Sequence, residues 1–162
     1  MEKLNRRIGV IALVLTMCFL WGCQQRPASQ QKPSEKTYYE FQGVRIGSEF
    51  AKVAAVFGEY ENKVQEDTTL TTYMYPHFMV TTAQDRGKEI LVSILLRSSA
   101  VTTEEGAAIG DMREQVIEKH GKNFTEDGEG NLIYTKKDTI LSFLIDGEGY
   151  VLSITYSAIL KQ

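Results

Sequence analysis

Few side chains in this chain of 162 residues combine the type and the spacing that chemistry needs. The two cysteines, Cys18 and Cys23, both lie within the first 23 residues, so they build neither a disulfide framework nor a zinc cluster. The two histidines, His77 and His120, are far apart in sequence. Ser93 and Ser153 fall inside strand-like segments, without the strained turn that exposes a nucleophile and without a recognisable histidine signature. Gly-x-x-Ile-Gly occurs at 43–47 and again at 106–110, but it lacks the Lys-Ser/Thr of a phosphate loop. Asp127-Gly128-Glu129-Gly130-Asn131 alternates oxygen-bearing side chains as calcium loops do. It lacks the further ligands of such a loop, including the late glutamate, and Asp-Gly favours a hairpin turn. Asp146-Gly147-Glu148-Gly149 reads the same way. The expectation is therefore no catalytic residue, no metal and no cofactor.

Cys23 is the exception, because of what precedes it. Lys3, Arg6 and Arg7 open the chain, and Ile8 to Trp21 is almost unbroken apolar sequence. As a helix that run spans ~21 Å, short of a hydrocarbon core of ~30 Å, which is the pattern of a secretory signal peptide. It ends in Leu20-Trp21-Gly22-Cys23, which resembles the lipobox of bacterial lipoproteins. Trp21 stands where a small or β-branched residue is usual. The resemblance implies cleavage between Gly22 and Cys23, a diacylglycerol thioether on Cys23, and a membrane partner through that anchor. Two acyl chains hold a soluble domain on a bilayer where one binds only marginally. The alternative is an ordinary signal peptide, or an uncleaved anchor, with a chance cysteine.

The residues that follow place a domain away from that anchor. Gln24 to Lys36 is rich in Gln, Ser, Pro and Lys with one apolar residue, Ala28. Such a stretch cannot bury enough surface to order itself, and it reads as a tether reaching up to ~45 Å. The domain organisation is signal peptide 1–22, lipidated Cys23 with a linker to 37, and a folded domain at 38–162. Without the signal peptide, 15 basic residues face 20 acidic ones, which argues against nucleic acid as a partner.

The folded part contains one stretch twice. Gly43 to Gly58 and Gly106 to Gly121 align at an offset of 63, matching Gly43 with Gly106, Ile46 with Ile109, Gly47 with Gly110, Val53 with Val116 and Gly58 with Gly121. In each copy an apolar helical stripe follows a capping residue, Ser48 or Asp111, and a glycine ends it. His120 takes the place of Phe57 and is expected to pack at the helix end. The period then changes from 3.6 to 2. Segments 70–75, 78–82 and 89–96 alternate in the first copy; 131–135, 139–145 and 150–156 alternate in the second. The last strands align at an offset of 60, Ser93 with Ser153 and Ile94 with Ile154. The fold class expected is α+β: two tandem αβββ units, 38–97 and 98–162, with antiparallel sheets and one helix per unit packed on one face.

Strict alternation puts Ile90, Val92, Ile94 and Leu96, with Tyr150, Leu152, Ile154 and Tyr156, on the core face. Leu91, Ser93 and Leu95, with Val151, Ser153 and Thr155, then face away, and these six are the candidate binding face. Tyr73 and Tyr75 share one face of a nearby strand and are candidates to join them. This plan resembles the tandem units of the β-lactamase-inhibitor-protein fold, and is similar to the small lipoprotein of the outer-membrane assembly machine. The resemblance implies protein binding on a joined sheet surface, without fixing contact residues. The expected function is a membrane-anchored envelope lipoprotein, on the extracytoplasmic side, that binds another protein through an open sheet face. The alternatives are an immunity or inhibitor protein, a structural or assembly subunit of an envelope complex, and a solute- or ligand-sensing module.

Overall fold

The computed structural model describes residues 36–159. Gly22, Cys23, the signal segment and nearly all of the linker lie outside the described residues. A two-residue hairpin comes first, β1 (Glu40–Phe41) and β2 (Val44–Arg45). Helix α1 (Phe50–Phe57) is followed by β3 (Asn62–Gln65), β4 (Leu70–Met74), β5 (Phe78–Asp85) and β6 (Lys88–Leu96). Helix α2 (Arg113–His120) is followed by β7 (Thr125–Glu126), β8 (Leu132–Lys136), β9 (Thr139–Ile145) and β10 (Val151–Ala158).

The strands overturn the expected fold class. The chain is mostly β and is not two tandem αβββ units. Each helix is followed by four strands rather than three, and β3 to β10 form one eight-stranded antiparallel sheet in the order β3-β4-β5-β6-β10-β9-β8-β7. The seam is antiparallel pairing of β6 with β10, Ile94 opposite Tyr156 and Leu96 opposite Ile154. Both seam strands are rich in β-branched and aliphatic residues, which suits a pleated surface buried from one side.

The glycine motifs place the helices. Gly47 donates its N–H to the Leu91 carbonyl (2.8 Å), and Leu91 donates back to the Ser48 carbonyl (2.9 Å). Gly110 donates to Val151 (2.9 Å), and Val151 to Asp111 (2.9 Å). Each helix lead-in is thus a short added strand on the N-terminal half of β6 or β10. Gly47 and Gly110 have φ near +90°, which side-chain-bearing residues rarely adopt. Because the pairing runs on to Glu49 and Met112, which are extended and bridge to Ile90 and Tyr150, each helix starts one residue later than expected. The N-caps are Glu49 and Met112, not Ser48 and Asp111, and the Met112 N–H is taken by the Gln115 side chain at 2.8 Å. Asp111 instead accepts the Ala108 N–H (2.8 Å) and the Lys119 ammonium (2.7 Å).

Helices, lead-ins and hairpin all cover one face of the sheet. Val53 and Val116, the inward residues of the helices, are fully buried. Phe41 from the hairpin meets Phe57 (5.8 Å between ring centroids), Phe78 (5.1 Å) and Tyr156 (5.9 Å), so it touches both halves of the sheet. Burial of one such side chain contributes about 1.5–3 kcal/mol.

Candidate functional site

The register defines the face that helices and hairpin leave uncovered. One core row runs Tyr73, Val80, Ile94, Tyr156, Leu141 and Tyr134 across six strands, and all six are buried. The rows on either side of it point the other way. One runs Val64, Thr72, Thr81, Ser93, Ser157, Ile140 and Thr135; the other runs Met74, Met79, Leu95, Thr155, Ser142, Ile133 and Thr125. Among the described strands no interior position on this outer face is charged. Asp85 and Lys88 fall only at the tip of the β5–β6 hairpin, and the Glu66 carboxylate reaches in to accept the Thr72 hydroxyl (2.7 Å). The surface is hydroxyls and aliphatics, with Leu144 and Leu152 exposed at 42% and 53% near its β9–β10 end.

This geometry divides the six predicted face residues. Ser93, Leu95, Ser153 and Thr155 are half-buried members of the outer face. Leu91 and Val151 are not: they are 0% and 1% exposed and belong to the core. The cause is a pair of β-bulges. Thr81 pairs with Ser93 but Thr82 with Leu91, so Val92 is an extra residue; Leu144 pairs with Ser153 but Ile145 with Val151, so Leu152 is another. One inserted residue reverses the alternation beyond it. Leu152, expected in the core, is exposed for the same reason. Tyr73 and Tyr75 are also core residues, at 3% and 2% exposure.

A second constellation joins residues that the sequence keeps apart. The side chain of His120, at the end of α2, is 1% exposed and lies between the rings of Tyr134 (5.3 Å) and Phe143 (5.1 Å). Its Nε2 is 3.0 Å from Oγ1 of Thr103, in the connection between the two halves of the sheet. That oxygen accepts the Ala107 N–H (3.0 Å), and its second lone pair and its hydrogen leave it able to meet Nε2 either as acceptor or as donor. Nδ1 faces Oε2 of Glu105 at 3.6 Å. Burial pushes the imidazole below its ordinary pKa; Glu105 opposes this, and Lys136 and Lys119 reinforce it. Hydroxyl, imidazole and carboxylate follow one another as in a nucleophile relay. Thr103 is only 3% exposed, however, and its oxygen is engaged by Ala107, so the chain of bonds ties the connection to the helix. The expected packing of His120 at a helix end describes its place but not this tie.

The acidic turns use their carboxylates internally. Asp127 accepts the backbone N–H groups of Glu129 (2.9 Å) and Asn131 (3.0 Å) and the Asn131 side-chain amide (2.8 Å). The Asn131 side chain, led by that bond, and the backbone donors hold Asp127 below the usual carboxylate range. Asp146 accepts from Glu148 (2.9 Å) and Tyr150 (2.8 Å). Both are structural turns. No group of side chains suited to holding a metal ion occurs among the described residues. No helix among them is long and apolar enough to cross a membrane.

No family model matches the sequence, and no curated protein matches it. The fold is similar to that of a cysteine-rich secretory protein from Staphylococcus aureus subsp. aureus Mu50, at 15% identity and a TM-score of 0.52. It is also similar to an extracellular protein containing an SCP domain from Bacillus anthracis str. Ames, at 14% identity and a TM-score of 0.52. The aligned parts cover 74% and 70% of this chain but only 46% and 44% of those proteins, so the chain spans less than half of each. A DUF4309 family protein from Bacillus subtilis subsp. subtilis str. 168 aligns at 19% identity over 72% of this chain and 83% of its own, with a TM-score of 0.46. At these identities the likeness is one of fold.

Proposed function

We propose that this chain is a lipid-anchored domain on the extracytoplasmic side of the cell envelope, which binds another protein through the outer face of its sheet. The observation that carries the reading is the composition of that face: two rows of hydroxyl and aliphatic side chains cross the sheet with no charge at their interior positions. Depletion of charge is what marks the centre of a protein interface against the rest of a surface. Elsewhere the surface carries ordinary ion pairs, such as Lys88 with Glu49 and Arg113 with Glu126. The anchor rests on Leu20-Trp21-Gly22-Cys23 after a basic and apolar start. The secretory and extracellular descriptions of two neighbours of this fold support the same side of the membrane.

Two substitutions separate anchor from face. Cys23→Ala is expected to move the protein from the membrane fraction or to leave the precursor uncut; unchanged fractionation and size would contradict the anchor. Replacing Ser93 and Thr155 together by lysine is expected to abolish specific capture of a partner from membranes, with folding retained. Capture equal to that by the wild type would contradict the face.

A further inference from the structure

We propose that His120 is a pH-sensitive latch that holds the connection between the two halves of the sheet, residues 98–110, against helix α2 and releases it on protonation. The latch is the chain of bonds from the Ala107 N–H to Thr103 Oγ1 and on to His120 Nε2 (3.0 Å each). The connection closes on itself there as well, since Thr103 donates its N–H to the Ala107 carbonyl at 2.8 Å. Thr103 is thus shared between the latch and a cleft of about 350 Å³, which it lines with Ala100, Val101, Thr102 and Glu104 opposite the hairpin turn Gln42–Gly43.

Protonation acts on this arrangement by placing a charge in it. Neutral His120 shares one hydrogen with the Thr103 hydroxyl inside the packed ring cluster, an arrangement that needs no charge. The charge would sit in a side chain that is 1% exposed. The charged groups facing it are Glu105 from the connection, Lys136 from β8 and Lys119 from its own helix; Tyr134 of β8 and Phe143 of β9 add only uncharged rings. Lys119 is held by Asp111, and Lys136 lies 3.8 Å from Glu105, so the one carboxylate beside the ring is already shared. Release has a compensation beneath the connection. Tyr156 is 1% exposed and its hydroxyl has no partner among the described residues, and burial, then Glu105 and Glu104, push the phenol up. Opening would let that hydroxyl reach water.

The sign of the effect is fixed. With the latch open, His120 titrates near its ordinary pKa of ~6.5; closed, it titrates lower. The latch is therefore fully set above that value and weakens as pH falls through it toward the closed-state value. First-half residues report on the rest of the sheet, because Phe57 occupies the matching helix end and cannot titrate.

Amide hydrogen exchange of the full chain between pH 7.5 and 5 tests this. Protection factors of Ala107 and Thr103 are expected to fall by up to about tenfold per pH unit below ~6.5. That of Leu91, bonded to Ser48 in the first half, is expected to stay constant. In His120→Phe, which copies the first half, the pH dependence should vanish. An equal fall in His120→Phe, or no fall in the wild type while the imidazole resonances show protonation, would overturn the proposal. Should His120→Phe fail to fold, the wild-type series with Leu91 as reference decides alone.

Discussion

Phe57 and His120 end the two helices at matching positions, and each lies against two aromatic rings from the strands below. Phe57 meets Tyr75 at 5.8 Å and Phe78 at 4.9 Å. His120 meets Tyr134 at 5.3 Å and Phe143 at 5.1 Å. The first contact set is wholly aromatic and extends to Phe41 of the hairpin. The second contains a group that can change charge and is bonded to a hydroxyl seventeen residues away. One backbone plan therefore supports two different interiors. The first half is a fixed apolar anchor; the second makes the position of residues 98–110 depend on a proton.

That contrast can be broken by mutation. Phe57→Ala should cost about 3–5 kcal/mol in urea unfolding, equally at pH 7.5 and pH 5.5, because it removes packing alone. Thr103→Val keeps the shape but leaves the Ala107 N–H without its acceptor and His120 Nε2 without its hydrogen-bond partner, for a cost of about 1–3 kcal/mol. This loss should appear mainly at neutral pH, where the latch is set. Wild-type stability should be flat above pH 7 and fall below ~6.5, by no more than about 1.4 kcal/mol per pH unit from this histidine. If Thr103→Val lost the same amount at both pH values, the tie would be structural and not switchable. Ser93→Lys, on the outer face, should change stability by no more than ~0.5 kcal/mol, whereas Leu91→Lys should prevent folding. The second pair sharpens the account of the bulges, since the two residues are neighbours but one.

Much of the framework is legible in the sequence, and the failures have physical causes. The period of two in β4 to β6 and β8 to β10 marks the strands because one face of each is buried. Strand β3, Asn-Lys-Val-Gln, is exposed along its whole length at the sheet edge, so nothing selects an alternating pattern and the sequence hides it. Strand β7 is two exposed residues and is hidden likewise. Without these two strands the periodicity shows three strands per helix, which is the pattern of two tandem αβββ units. The bulges at Val92 and Leu152 are invisible for another reason. Ile-Leu-Val-Ser-Ile and Tyr-Val-Leu-Ser-Ile alternate acceptably in either register, and only pairing with β5 and β9 shows the extra residue. That one step moves Leu91 and Val151 from the outer face into the core. The link from Thr103 to His120 left no signal, because hydroxyl and imidazole come from a loop and a helix end without a shared motif.

The outer face is where the two halves act alike, since Ser93 and Ser153 sit at matching places beside the two bulges. Site-specific photocrosslinking tests its role most directly. A benzophenone side chain at Leu95, in the outer face, should give one discrete adduct with an envelope protein in intact cells. The same group at Val56, 49% exposed on helix α1, should not give it. The same adducts from both positions, or none from Leu95 while the protein remains folded at the membrane, would contradict binding through the outer face of the sheet.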